Sequence, residues 1–425
     1  MKKRINIILL IIFTFVLTSC DCENQSLKVS DFHYEKANKH FRDSLYTKLI
    51  NKDILPALAV TPDSSNEQSW NGALWAMGLT GYSNDHVYKQ LENALDNYKN
   101  LTPAFRRSLL EAIITNYPNS FTDRISELLP IETNPKLFAM ISYYLRINNY
   151  DHDVILSTLS RNFPAWQKEP ILYMEGFYLT TRKTTHVKNK PPVINLLKEC
   201  CAGEIVLFSF QRINRDFPGI TMIRKADGTF LKNPDSSYFA IPHFARAASN
   251  MPGYLTNGNT PVGILSFTGF GKSDNIFIGP VPNLQLSLPF EADVNKYFHG
   301  KVAQAGWDIS LYQRLLPDSW KGYFPVLEAY YAGKAGRTEI ISHGTTIDPR
   351  YYKDKAYYPY TPSLGCLTAL ELWDDSGKLV YSDQIKLINA LKSINAEKGF
   401  FILIEINDEN SPVTEGEIIN NYLLE

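Results

Sequence analysis

The first half of the chain carries apolar side chains at helical spacing. Thr102-Pro103 is a helix start, because a capping hydroxyl precedes a proline at the first helical position. Asn134-Pro135 repeats this signal 32 residues later, and apolar side chains again fall near one face. The pattern predicts an N-terminal all-α helical domain over residues 46–190. Stacked helix pairs of a short solenoid and a non-repeating bundle both fit it.

The second half has short apolar runs bounded by turn residues. The change falls at residues 183–192, a basic stretch that ends in two prolines. A helix is predicted at 384–393 from its apolar spacing. The chain is therefore expected to be multidomain α plus β, with a mainly-β C-terminal domain over 200–405 and a tail over 406–425. Strands are predicted at 204–211, 220–224, 264–269, 275–278, 338–341 and 400–406.

The N-terminus has the pattern of an export signal. Basic residues 2–4 precede an apolar run at 7–16, and Leu-Thr-Ser-Cys then ends at Cys20, which resembles the bacterial lipobox. We expect a lipoprotein signal peptide over 1–19, lipidation of Cys20 and a polar tether over 20–45. An ordinary signal peptide with a chance cysteine is the alternative. The lipobox places the protein in the cell envelope, facing the periplasm, with acyl chains on Cys20 as its membrane attachment.

Composition narrows the class of protein further. The 425 residues carry a net charge of -1, which excludes a chain-wide electrostatic attraction to nucleic acid. A hydrophobic content of 44% is enough for a sizeable core. The cysteines are spaced neither as a disulfide framework nor as a zinc site, and we expect no metal and no cofactor. They are Cys20, Cys22, Cys200, Cys201 and Cys366.

The candidate chemistry lies in two short segments, His343-Gly344 and Ser363-Leu364-Gly365-Cys366. A free thiol with a pKa near ~8.5 is mostly protonated at neutral pH, so a cysteine nucleophile needs an imidazole to take its proton. A glycine beside the nucleophile allows a sharp turn whose N–H groups can point at an oxyanion. Taken singly, a Gly-Cys pair and a lone histidine are more often structural.

Three segments in order resemble the catalytic domain of the L,D-transpeptidase (YkuD-like) family: TPVG at 260–263, ISHGT at 341–345 and SLGCL at 363–367. The resemblance covers about half the chain. It implies a transferase of cell wall biogenesis that acts on peptidoglycan stem peptides through an acyl-cysteine. It makes Cys366 the nucleophile and His343 the base, with the Gly344 carbonyl orienting the imidazole.

The resemblance also assigns supporting roles. The backbone N–H groups of Gly365 and Cys366 are expected to be the oxyanion donors, and Ser363 to hold the turn. Arg350, Tyr360 and Thr368 are expected to contact substrate.

The chain departs from the family at two positions. Leu364 replaces a histidine, and Thr368 stands where the family has arginine or asparagine. An L,D-carboxypeptidase-type hydrolase with the same site is therefore one alternative, and a catalytically inactive, peptidoglycan-binding envelope scaffold is another. No protein partner is assigned to the helical domain.

Overall fold

The computed structural model describes residues 26–181 and 190–423. The expected signal peptide, Cys20, Cys22 and most of the basic linker lie outside these residues. Helices and a large β-sheet are both present, so the prediction of an α plus β chain is confirmed. Within the described ranges, no helix is both long and apolar enough to cross a bilayer.

The N-terminal region is helical. Its caps are the predicted ones: the Thr102 hydroxyl accepts from the Phe105 N–H at 3.2 Å, and the Asn134 side chain accepts from the Leu137 N–H at 3.2 Å. The helices are α1 (Lys39–Lys48), α2 (Leu55–Leu58), α3 (Glu67–Thr80), α4 (Asp85–Asp96), α5 (Pro103–Asn116), α6 (Thr122–Leu128), α7 (Pro135–Ile147), α8 (His152–Asn162) and α9 (Pro170–Thr180).

Successive helix pairs in this region stack. Helix α3 packs on α5, α5 on α7, and α7 on α9. Buried polar contacts join neighbouring layers: Tyr98 donates to Glu132 at 2.7 Å, and Ser142 donates to Glu175 at 2.7 Å. These partners are 34 and 33 residues apart, close to the spacing of the two Xaa-Pro start signals.

Ten strands follow. They are β1 (Val206–Arg212), β2 (Gly219–Arg224), β3 (Ala240–His243), β4 (Gly263–Gly271), β5 (Asn283–Ser287), β6 (Ile341–His343), β7 (Leu367–Thr368), β8 (Glu371–Trp373), β9 (Leu379–Ser382) and β10 (Gly399–Asn407). Eight of them form one sheet in the order β3-β2-β1-β10-β4-β5-β6-β7, and β8 pairs with β9. The pairs β1–β10 and β6–β7 are parallel, and the other pairs are antiparallel.

Short helices surround the sheet. The α-helices are α10 (Val193–Glu199), α11 (Val294–Tyr297), α12 (Ile309–Gln313), α13 (Glu328–Lys334), α14 (Asp383–Ser393) and α15 (Glu415–Ile418). Single turns of 3₁₀ helix occur at Val29–Asp31, Glu35–Ala37, Tyr98–Asn100, Leu129–Ile131, Trp166–Lys168, Asp318–Trp320, Phe324–Leu327 and Pro349–Tyr352, and π-helical turns at Leu49–Ile54 and Ile419–Leu423.

The sheet is covered on both faces. One apolar core runs without a break from the stacked helices to one face, and a second core lies between the other face and α10 to α12. Strand β1 is buried along its whole length, which explains why apolar side chains point to both of its faces, since only a strand covered on one side needs polar alternation. The helical region and the sheet therefore share hydrophobic packing.

Two predicted strands need correction. The strand predicted at 338–341 begins only at Ile341, because Glu339 has a φ of 63° and donates its N–H to the Glu291 carboxylate. Residues 275–278 form a turn, because the Asn275 side chain accepts from the Phe277 N–H at 2.9 Å and the Asn275 carbonyl accepts from the Ile278 N–H at 3.1 Å. An asparagine that hydrogen-bonds its own following backbone competes with strand pairing. Strand β5 begins beyond it, at Asn283.

The expected tether is also wrong for the residues described. Segment 27–34 packs on β9 and α14: the Tyr34 N–H donates to the Gly377 carbonyl at 2.8 Å, and the Leu379 N–H donates to the Phe32 carbonyl at 3.1 Å. Apolar side chains in this segment fill a small core against Trp373. Burial of apolar surface thus holds a stretch whose mean polarity suggested a free linker.

The C-terminal segment is likewise packed, where a tail over 406–425 was predicted. Strand β10 extends to Asn407, and α15 follows it. Buried Arg212 binds the Glu417 carboxylate through two hydrogen bonds of 2.7 Å, and Ile418 is fully buried. A bidentate pair of this kind is the strong form of a charge-assisted contact.

Candidate active site

The parallel pairing of β6 with β7 brings the two predicted catalytic segments together. Ser342 lies opposite Leu367, and His343 lies opposite Thr368. Paired residues share a face of the sheet, so His343 projects to the same face as Thr368. Side chains alternate along a strand, so Cys366, two residues before Thr368, projects to that face as well. The imidazole and the thiol therefore lie diagonally across adjacent chain segments.

The imidazole of His343 is buried and held in one tautomer. Its Nδ1–H donates to the Gly344 carbonyl at 2.5 Å, so Nε2 carries the lone pair. Burial lowers the pKa of His343 to about 4, against a smaller opposite effect of the Gly344 hydrogen bond. The ring is therefore neutral at neutral pH, as a general base must be before it accepts a proton.

The Cys366 side chain is partly exposed. Its Sγ–H donates to the Glu339 carbonyl at 3.5 Å. Burial raises the pKa of the thiol, while a hydrogen bond from the Ile341 backbone and the charge of Arg337 lower it. Because the net shift is upward, the resting site is a neutral thiol beside a neutral imidazole.

Ser363 closes the turn that carries Cys366. Its hydroxyl donates to the Cys366 carbonyl at 2.7 Å and accepts from the Gly365 N–H at 2.9 Å. Gly365 has a φ of +122°, and a Cβ there would lie 2.7 Å from the Gly258 carbonyl oxygen. Only glycine fits this position.

The expected oxyanion donors need one correction. The Gly365 N–H is already bound by the Ser363 hydroxyl, so it does not point into an open site. The Ser363 hydroxyl accepts this hydrogen bond, and a buried N–H group without an acceptor would be costly. Of the predicted pair, the Cys366 N–H is the donor left for an oxyanion.

The Thr260-Pro261 segment reaches the same turn. The Thr260 hydroxyl donates to the Gly365 carbonyl at 3.0 Å, and Thr260 is fully buried. The three segments that are separate in sequence therefore meet around Gly365, Cys366 and His343.

The three predicted substrate contacts are less well placed. Thr368 is buried and donates to the Thr361 carbonyl at 2.7 Å, so its prediction as a substrate contact is wrong. Tyr360 is half-buried against Phe244, with ring centroids 5.8 Å apart. Its expected contact with substrate stays a prediction.

Arg350 is bound to its own loop. Its Nε lies 2.9 Å from both carboxylate oxygens of Asp348, so the fork is already occupied. The next residue, Tyr351, stacks on Tyr46 with centroids 4.3 Å apart. This packing turns the Pro349–Tyr352 segment towards helix α1, and Arg350 makes no described hydrogen bond to His343 or Cys366.

Two functional candidates escaped the sequence analysis. Glu371 is buried directly under Gly344: a Cβ on that glycine would lie 1.9 Å from the carboxyl carbon. Burial raises the pKa of Glu371 to about 8, against opposing hydrogen bonds from Ser382 and the Thr345 backbone. No group of the described residues donates a hydrogen bond to its Oε2. In sequence it is one polar residue in a short strand, which gives no signal of burial.

Arg337 is the second candidate. It precedes β6, is only 5% exposed, and donates to the Gly258 carbonyl at 2.7 Å and the Gly365 carbonyl at 3.4 Å. Its sequence neighbours are Gly336 and Thr338, a context typical of a solvated turn.

The other histidine near the strand is structural. His243 is fully buried behind β6, with Nδ1 2.8 Å from the Thr221 hydroxyl and Nε2 3.0 Å from the Ser342 hydroxyl. Burial and the nearby His343 lower its pKa to about 3. Its two ring nitrogens are both used in joining strands.

Comparison with protein-family models, with curated proteins and with solved structures found no match to this chain. Among the described residues, no group of three or more His, Cys, Asp or Glu side chains could hold a metal ion. The chemical interpretation of the site therefore depends on its own geometry and on the resemblance of its three segments.

Proposed function

We propose that this protein is a cysteine acyltransferase of the L,D-transpeptidase type that acts on peptidoglycan stem peptides through an acyl-Cys366 intermediate. The observation that carries the proposal is the parallel pairing of β6 with β7, which places Cys366 and His343 on adjacent chain segments, while the Gly344 carbonyl holds Nδ1 of the imidazole. A nucleophile, a base and a group that orients the base are the parts that such chemistry needs.

The proposed reaction starts from the neutral pair. As Sγ attacks the carbonyl carbon of the stem peptide, the S–H proton passes to Nε2 of His343, and the tetrahedral oxyanion faces the Cys366 N–H. The imidazolium then protonates the leaving amine, which departs as the terminal D-amino acid. An amine of a second stem attacks the thioester, and its proton returns through His343, leaving a cross-link and the free thiol.

Lipidation of Cys20 belongs to the same proposal. A lipid at the N-terminus would hold the enzyme at a membrane facing the periplasm, where its polymer substrate lies. The helical region, which shares a core with the sheet, would then be a packed part of the enzyme.

A second candidate is a catalytically inactive scaffold that binds peptidoglycan. Two observations favour it: the Gly365 N–H is occupied by Ser363, and the pKa of the Cys366 thiol is raised by burial. The third candidate is a hydrolase that uses the same site with water as the acyl acceptor. Analysis of the products distinguishes it from the transferase.

The test uses the full chain in detergent with purified disaccharide-tetrapeptide, and mass spectrometry of the products. The Cys366→Ala variant is the control for the nucleophile, and His299→Ala is the matched histidine control, since His299 binds Ser266 outside the site. A cross-linked dimer or an exchanged terminal residue that Cys366→Ala does not make supports the transferase. A tripeptide alone supports the hydrolase. Folded wild type that yields neither product but co-sediments with peptidoglycan sacculi supports the scaffold.

A further inference from the structure

Arg337 connects the segment before β4 to the nucleophile turn. Its Nη1 donates to the carbonyls of Gly253 and, at 2.8 Å, Asn259. Its Nη2 donates to the Gly258 carbonyl at 2.7 Å and the Gly365 carbonyl at 3.4 Å. The planar fork of a guanidinium can satisfy several carbonyls at once, which a lysine cannot.

The charge of this buried cation has no partner in direct contact. Its described acceptors are neutral carbonyls, and within the described residues no carboxylate lies at ion-pair distance from it. The acid that acts on it most strongly is Glu328, which is itself buried and accepts from the Val262 N–H at 2.7 Å. Burial lowers the pKa of Arg337 to about 10 and that effect exceeds the opposing influence of Glu328 and Cys366. An anion that forms beside a buried cation of this kind lowers the electrostatic free energy of the cation.

The anion that can form there is the Cys366 thiolate. A Cβ added to Gly365, the residue before Cys366, would lie 2.2 Å from Nη2, so the guanidinium packs directly on the nucleophile turn. The charged groups that act on the thiol from other segments are Arg337, which favours its ionisation, and Glu339 and Glu291, which oppose it. His343, on the adjacent strand, is neutral.

We propose that Arg337 is a positioning residue that stabilises the Cys366 thiolate through its charge and holds the nucleophile turn through the Gly258 and Gly365 carbonyls. The inference depends on the proposed function for its catalytic meaning. When the S–H bond breaks and the proton moves to Nε2 of His343, the negative charge is left on the residue that follows Gly365, whose carbonyl the guanidinium binds. The cation thus offsets part of the desolvation that disfavours the thiolate.

The test measures the thiol directly, without substrate. The rate of iodoacetamide alkylation at Cys366 is followed against pH in the full chain by mass spectrometry of the peptide that contains it. In Arg337→Gln the midpoint rises by one pH unit or more, and alkylation at pH 7 slows about tenfold, since a unit of pKa is a factor of ten in thiolate. In Arg337→Lys, which keeps the charge, the rate at pH 7 stays within about threefold of wild type.

Arg215→Gln is the matched control. Arg215 is also buried and donates to the Ala245 and Thr260 carbonyls, but its charge is paired with Glu405 at 2.8 Å. Its loss leaves the midpoint unchanged. An Arg337→Gln midpoint equal to wild type overturns the proposal, and so does an equal rise in Arg215→Gln. If Arg337→Gln does not fold, Arg337→Lys decides: a folded lysine variant with a midpoint raised by a unit contradicts the role of the charge.

The alkylation result is independent of the proposed function. A raised midpoint in Arg337→Gln together with no product from wild type and stem peptides supports the role of Arg337 and removes the acyltransferase. Cross-linking by wild type together with an unchanged midpoint in Arg337→Gln supports the acyltransferase and removes the role of Arg337.

Discussion

Phe244 and Thr368 exchange two backbone hydrogen bonds, each 2.9 Å long. Phe244 directly follows β3 and Thr368 ends β7, and these are the two edge strands of the eight-stranded sheet. The bridge therefore joins the edges into a near-barrel. Cys366 stands two residues before this closure, so its position depends on the whole ring of strands.

The hydroxyl of Ser363 should matter more than its small size suggests. Ser363→Ala removes the two hydrogen bonds that its hydroxyl makes with Gly365 and Cys366 and frees the Gly365 N–H, so we expect a loss of about 1–2 kcal/mol in the free energy of unfolding. Displacement of Sγ should lower the cross-linking rate at least tenfold. Urea unfolding and product formation measure the two effects.

Ser393→Ala is the control for this prediction, because Ser393 also donates to a backbone carbonyl, at 2.8 Å, but at the end of α14. It should leave the cross-linking rate at the wild-type value. Wild-type transfer by a folded Ser363→Ala variant would show that the turn is held without the hydroxyl.

Glu371 should make stability depend on pH. Its pKa is raised from 4.5 to about 8, so the folded state holds a proton that the unfolded state has lost. Stability from this group is complete below about pH 4.5 and is lost as pH rises to about 8. In Glu371→Gln, a neutral residue of the same shape, this fall should disappear. Chemical unfolding of both proteins between about pH 5 and about pH 9 measures this dependence of stability on pH. Parallel curves would mean that Glu371 is ionised at neutral pH.

Alkylation of Cys366 should report a neutral resting pair. Burial raises the pKa of the thiol and lowers that of His343 to about 4, so the reaction with iodoacetamide should have its midpoint above the ~8.5 of a free thiol. His343→Ala should leave this midpoint nearly unchanged, since a neutral ring adds no charge, while acyl transfer falls by roughly 10²- to 10⁴-fold. A wild-type midpoint well below that of a free thiol would show a thiolate–imidazolium pair instead.

The contact between the stacked helices and the sheet should be energetically important. Glu175 is fully buried and accepts from Ser142, from Arg146 at 3.2 Å and from Tyr254, which belongs to the other region. Glu175→Ala leaves Arg146 without its anion, so we expect a loss of about 3–5 kcal/mol in the free energy of unfolding.

The matched control for this contact is Glu92→Ala, because Glu92 pairs with Lys89 at 3.0 Å on the surface. Its loss should cost less than about 1 kcal/mol. A single shared unfolding transition in wild type that separates into two in Glu175→Ala would further show that this cluster couples the two regions. Equal, small effects of both substitutions would contradict the prediction.

The sequence alone determined the local elements and the pair of reactive segments. Helix starts at Thr102 and Asn134 were readable because capping and the proline ring act within a few residues. Strand β10 was readable because a central strand covered on both faces is mostly apolar, as residues 400–404 are. The roles proposed for His343 and Cys366 come from residue types in an order that resembles a family, and the pairing of β6 with β7 places the two residues on adjacent chain segments.

Tertiary structure alone decided which polar groups are buried and which donors are already used. Arg337 and Glu371 acquire their properties from segments far away in the chain, and local sequence carries no record of the desolvation that shifts their pKa values. The use of the Gly365 N–H by Ser363 depends on a turn geometry that a residue pattern does not specify. The packing of segment 27–34 on β9 likewise follows from a surface that exists only once the sheet has formed, because hydrophobic burial depends on what lies opposite a residue and not on its neighbours in the chain.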